Sequence, residues 1–253
     1  MKKIVIVASF ASLAGFGVAG NTPISLTGFN FDGIADGSGS AASSTTGTLD
    51  SIYDYFTLGW DTGTPSAGLP TASFVSAFNA NTTFLLAAPK GNNLLWLQQA
   101  GSGATSGTLS LAAPGSFTTL AFLVTGFNGS QPTGYSLNFS AGSPTSGSFT
   151  SLDNFNNSGY AINGFGRVSR SGGAFDSIGS TNPRLYEIDL TLSGADQLKT
   201  LDSVTFTNNE TSGTTFHDVG VFAISGASAV PEPASLCALG LSLAAIARRK
   251  RRK

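Results

Sequence analysis

Cysteine and histidine are almost missing from this 253-residue chain; each occurs once, as Cys237 and His217. A single cysteine rules out an intramolecular disulfide, and a single imidazole leaves little for a zinc site or a histidine acid/base pair. Charge is also scarce, at 11% of positions. Between residues 21 and 230 the basic residues are Lys90, Arg167, Arg170, Arg184 and Lys199 against thirteen acidic ones, so this stretch carries −8. That argues against a nucleic-acid partner, because phosphate neutralisation needs clustered Lys and Arg. The other cations are gathered at the two ends, which bring the whole chain back to −1. What the chain does hold is turn-forming residues, 32 Gly and 10 Pro, and core-forming ones, 19 Phe within a 41% hydrophobic content. This is enough for a packed interior and disfavours disorder throughout.

The N-terminus, MKKIVIVASFASLAGFGVAG, has two lysines, an apolar stretch from Ile4 to Val18 and a small-residue exit. This is the plan of a secretory signal, in which the cations stay cytoplasmic while the apolar segment enters the translocation channel. Cleavage is expected near Gly20; a first core strand or an uncleaved anchor are the competing readings. At the other end Pro231-Glu232-Pro233 precedes the uncharged segment ASLCALGLSLAAIA, Ala234 to Ala247, and then Arg248, Arg249, Lys250, Arg251, Arg252 and Lys253. As a helix the fourteen residues would be about 21 Å long, short of the roughly 30 Å hydrocarbon core. Flanking residues, bilayer thinning or snorkelling arginines would complete the span. The basic cluster is expected on the cytoplasmic side, leaving the body outside. An amphipathic helix docked on the body is the alternative, and the absence of charge fits it poorly.

Together, a secretion signal, Pro-Glu-Pro, a short apolar helix and a terminal basic cluster resemble the PEP-CTERM sorting domain of bacterial exported proteins. The resemblance covers roughly the last twenty-four residues. It implies recognition by a membrane-embedded exosortase, with Pro231, Glu232 and Pro233 as the recognition residues. It further implies that the helix and basic cluster are a transient inner-membrane anchor. Cys237, inside the apolar segment, reads as a passive small apolar residue.

The expected organisation is a signal peptide at 1–20, one body at 21–229 and a sorting tail at 230–253. Short apolar or alternating runs separated by Gly, Ser, Thr, Asn and Pro mark the body as all-β. Tyr186, Ile188, Leu190 and Leu192 alternate with Glu187, Asp189 and Thr191, predicting one inward and one solvated face. Tyr135, Leu137 and Phe139 alternate likewise with Ser136, Asn138 and Ser140. The continuous runs Leu94 to Leu97 and Leu120 to Val124 predict strands buried on both sides or beside packed loops. Further strands are expected over 26–31, 73–78, 84–87, 108–111, 161–169, 203–208 and 219–225, with a helical turn at Gly194 to Leu198. About a dozen short strands with frequent turn signals predict a two-sheet antiparallel β-sandwich of the jelly-roll kind. The run from Gly37 to Thr48 contains nothing larger than threonine and reads as an exposed loop. The second half of the body also resembles sandwich bodies that recur ahead of PEP-CTERM tails, a resemblance that assigns no activity.

The chemistry-bearing residues are few. His217, between Phe216 and Asp218 with Thr215 close by, is the one starting point for a hydrolase triad. The acid pairs Asp32/Asp36, Asp50/Asp54 and Glu187/Asp189 are candidates for glycoside hydrolysis, but neighbouring acids are also what solvated loops and strand faces carry. Asp32 and Asp36 lie in a glycine-rich turn and are the candidate calcium ligands, with Asx turns as the plain alternative. Trp60, Tyr53, Tyr55 and Tyr160 are the candidate rings for stacking sugars, whereas Trp96 among leucines reads as core. Arg167, Arg170 and Arg184 are expected to pair with Asp176, Glu187 or Asp189. The leading expectation is a non-enzymatic exported protein of the cell surface or extracellular matrix, with exopolysaccharide as a candidate partner. A carbohydrate-binding jelly-roll module is the alternative, and a secreted hydrolase the third reading.

Overall fold

The computed structural model describes residues 20–36, 44–59, 67–101, 103–211 and 216–229. The signal segment through residue 19, residues 37–43 of the Gly37–Thr48 run, Trp60, Thr215 and the tail from 230 lie outside the described residues, and within the described part of that run Thr45 is buried, not exposed as expected. Among the described residues no helix is long and apolar enough to cross a membrane. Gly194–Gln197 is the helical turn expected there, capped by the Ser193 hydroxyl, which accepts from the Asp196 amide at 3.2 Å.

Two antiparallel sheets form the body. In the first the strand order is Thr22–Pro23, Asp218–Ser228, Phe117–Phe127, Arg184–Thr191 and Tyr160–Asn163, with Leu95–Leu97 also pairing to Asp218–Ser228. In the second it is Thr145–Ser151, Gln131–Phe139, Leu201–Asn208, Ser106–Gly115 and Leu26–Thr27. They pack face to face because alternate residues of both are apolar. Leu120, Phe122 and Val124 of the first meet Leu109, Leu137, Val204 and Phe206 of the second in one buried cluster. Phe122 is fully buried, edge-on to Phe206 with ring centroids 5.1 Å apart. Removing such a side chain from water contributes about 1.5–3 kcal/mol.

The first sheet is buried on its other face as well. Ala121, Leu123 and Phe127 point away from the sandwich core, into a second cluster with Tyr55, Phe84, Phe165 and Phe222. An outer layer covers this face. It contains the small sheet Phe175–Asp176, Arg167–Ser169, Tyr53–Phe56 and Ile34–Ala35, and the hairpin Phe74–Val75 with Thr83–Phe84. Trp96 belongs to this cluster, as its leucine surroundings predict. Small residues let the aromatic rings in: a Cβ on Gly226 would fall 2.7 Å from the Phe117 ring.

Three expectations are corrected. The single strand over 161–169 is two strands, Tyr160–Asn163 and Arg167–Ser169, because Gly164 and Gly166 adopt φ of +70° and +71° and turn the chain around buried Phe165. Thr145–Ser151 is a seven-residue edge strand that no hydrophobic alternation announced. The third concerns the acid side of Arg184–Thr191. Glu187 is 5% exposed, since the outer layer covers it, whereas Asp189 and Thr191 on the same face are exposed as expected.

Candidate functional site

The residues singled out in the sequence scatter over the body. Tyr55 is corrected to a core residue. It is 1% exposed, packed edge-on to Phe165 at 4.9 Å, and its hydroxyl accepts from Asn154 Nδ2 at 3.2 Å. Tyr53 and Tyr160 are half-buried, and each ring has a guanidinium over it, Arg167 at 4.2 Å and Arg184 at 5.4 Å from the centroids. The three tyrosines therefore form no common platform for a sugar.

Arg167 bridges Asp50 and Asp176, the latter at 2.5 Å, which includes one of its expected partners. Arg170 and Arg184 find other acceptors. Arg170 donates to Thr45 Oγ1 at 3.0 Å and to the Thr45 carbonyl, and Arg184 donates to the Asn157 and Thr181 carbonyls. Thr45 in turn donates to Asp54 Oδ2 at 2.7 Å, while Asp54 Oδ1 is buried without a hydrogen-bond partner. Burial raises Asp54 to about 7, opposed by the Thr45 hydrogen bond and the Arg170 charge. Asp50 and Asp54 thus serve different partners.

Asp32 and Asp36 share a polar recess of about 310 Å³ with Ser44, Thr45, Thr46 and Lys90. Desolvation raises Asp32, although Asn93 Nδ2 donates to its Oδ1 at 2.6 Å. His217 is held by its neighbours. Its Nδ1 lies 3.0 Å from Gln131 Nε2, its amide donates to Gln99 Oε1, and its carbonyl accepts from Asn208 Nδ2 at 2.8 Å. Asp218 Oδ1 accepts instead from the Gln99 amide at 3.0 Å.

The sequence did not reveal a cleft of about 620 Å³ walled by Phe31, Trp96 and Phe216 with Gln98, Asn128 and Asp218. Phe31 and Trp96 stack at 5.3 Å, and Phe216 is 65% exposed, its carbonyl held by Asn128 Nδ2 at 2.7 Å. Phe216 alone carried a signal: an aromatic residue inside the polar run before a strand.

Fold and tail define a class, an all-β exported protein with a sorting tail. Residues 229–252 match the model of the PEP-CTERM protein-sorting motif. The chain carries this motif, and with it the route of an exported protein that has a C-terminal membrane-anchor sorting tail and is processed by an exosortase. No curated protein matches the chain. The matched segment begins one residue beyond Asp218–Ser228, so the tail departs directly from a strand of the first sheet.

Proposed function

We propose that this protein is a non-enzymatic component of the cell surface or extracellular matrix, released from its membrane-held precursor at the Pro231-Glu232-Pro233 segment. The sorting-motif match at 229–252 carries this reading. The scattering of the candidate catalytic groups supports it: His217 on Gln131, Asp50 on Arg167, Asp54 on Thr45. Fractionation of cells producing the full chain or a chain lacking 231–253 tests it. Full-length protein is expected at the surface or in the medium, and the truncated form elsewhere. Identical distributions would overturn the sorting role.

A second reading, carbohydrate binding, is favoured by the cleft at Phe31, Trp96 and Phe216. The exposed Phe216 ring beside half-buried Phe31, with amide and carboxylate groups around them, suits a pyranose ring. The winding supports a jelly roll. Take eight strands in chain order: Thr22–Pro23, Ser106–Gly115, Phe117–Phe127, Gln131–Phe139, Thr145–Ser151, Arg184–Thr191, Leu201–Asn208 and Asp218–Ser228. The first, eighth, third and sixth then lie side by side in one sheet, and the fifth, fourth, seventh and second in the other. Every connection except the hairpin between fourth and fifth crosses between sheets, as two interlocked Greek keys require. A glycan array with the full chain and Phe216→Ala is the test. Exopolysaccharide fragments should be retained by the first and lost by the second, and an array without bound glycans would remove this reading.

A further inference from the structure

We propose that Glu187 and Asp189 form the carboxylate half of a calcium site between the first sheet and its outer layer. The register pairs Glu187 with Leu123 and Asp189 with Ala121, which puts both acids on the same face of the sheet, Glu187 beneath the outer layer and Asp189 exposed at its margin. Glu187 is 5% exposed, and neither of its carboxylate oxygens has a hydrogen-bond partner. The Ser76 and Thr82 hydroxyls lie beside it, short of hydrogen-bonding geometry. Each is held from its other side. Ser76 Oγ accepts from the Phe78 and Asn79 amides, and Thr82 Oγ1 accepts from Asn21 Nδ2 at 3.0 Å. Asp189 takes Asn79 Nδ2 at 3.2 Å and opens onto a recess of about 180 Å³ with Asn21, Asn81 and Thr119 on its wall.

No counter-charge serves this pair among the described residues. Arg184, on the same strand, is turned to Asn157 and Thr181. The described ion pairs join Arg167 to Asp50 and Asp176, and Lys199 to Asp196. The Asp32–Asp36 recess differs on both counts, since Lys90 stands on its wall and Asn93 occupies Asp32. A buried carboxylate with no partner is costly, and the cost falls either by holding a proton or by ligating a cation. The neighbours select the cation. Two carboxylates with the Thr82 hydroxyl and amide oxygens of the recess wall, and water drawn from the recess, suit calcium, which accepts six to eight oxygens in irregular geometry. Zinc would require imidazole or thiolate, and neither is present here. Export adds the supply, because modules outside the cell work with Kd of about 10⁻⁴ to 10⁻³ M.

Without calcium, burial raises Glu187 to about 7, and the like charge of Asp189 adds to the effect. The elements facing it contribute Ser76, Asn79, Thr82 and Asn21, none of them titratable.

Calorimetric titration of calcium chloride into the purified full-length chain tests this, with melting curves in parallel. The expected results are a Kd in the range above and a melting temperature about 3–6 °C higher at a tenfold excess over Kd. Glu187→Gln and Asp189→Asn should each abolish the binding heat and the melting shift, while Asp32→Asn with Asp36→Asn should leave both. Asp189→Asn changes an exposed side chain, so it decides the matter if Glu187→Gln does not fold. No heat in the wild type, or heat that survives both single changes, overturns the proposal.

Discussion

Phe117–Phe127 and Gln131–Phe139 are consecutive strands of similar length that end in opposite surroundings. Along the first, successive side chains enter two different cores, Leu120 and Phe122 on one side and Ala121 and Leu123 on the other. Along the second, Leu137 and Phe139 point inward while Ser136 and Asn138 form part of an open face. That face is held by small polar groups in cross-strand contact. Thr108 and Thr205 hydroxyls are 2.8 Å apart, Ser136 and Ser146 are 3.1 Å apart, and Asn138 donates to Ser203 and Thr205. The open face keeps its polar groups paired with one another or in water, and the unpartnered oxygen buried in that sheet, Gln131 Oε1, belongs to an uncharged amide. The covered sheet buries Glu187, and the layer above it buries Asp54, each with unpartnered oxygen. Unpaired charge collects where a third layer was laid over a sandwich, and there a ligand has most to offer.

The contrast is broken most severely at Phe122. Phe122→Ala should cost about 3–5 kcal/mol in urea unfolding, and Leu123→Ala, one residue on and facing the other way, about 2–5 kcal/mol. A Leu123→Ala cost below about 1 kcal/mol would mean that the outer layer does not seal the sheet. The next effect is one of pH. The folded-state values of Glu187 and Asp54 stand above their unfolded ones, so the folded chain binds more protons. Their contribution to stability is complete below about pH 4 and is lost as pH climbs to about 8. Calcium-free melting curves across that range should show the decline, and Glu187→Gln should flatten it. An unchanged slope in the variant would indicate that Glu187 is ionised and solvated. The smallest change is expected on the open face, where Thr205→Ala should stay within about 1 kcal/mol, since water replaces its partners.

How far the sequence could be read follows from the same division. Tyr135, Leu137 and Phe139 alternated correctly because their sheet has one wet face, and Leu120 to Val124 ran unbroken because theirs has none. Thr145–Ser151 was invisible: its one large apolar residue is Phe149, and its extended form comes from pairing with Gln131–Phe139. Glu187 was misplaced for a related reason. Alternation tells which residues share a face, but a covering layer contributed by residues 74–84, a hundred positions earlier, leaves no trace in the local pattern. The tail was the reverse case. Its meaning lies in the order of short segments, and those stand in the sequence without any fold.

Asp218–Ser228 carries one more consequence. It is flanked by Phe117–Phe127 along ten paired residues and by Thr22–Pro23 at its far end, and the Ala229 amide is still tied to the Ser116 carbonyl at 2.9 Å. The sorting segment begins where this strand stops. A pull on that segment runs along the strand axis, so the rungs of the ladder resist together in shear and do not open one at a time. Whatever holds the tail thus grips the body by a central strand of the first sheet, and load on the tail is shared along ten rungs at once.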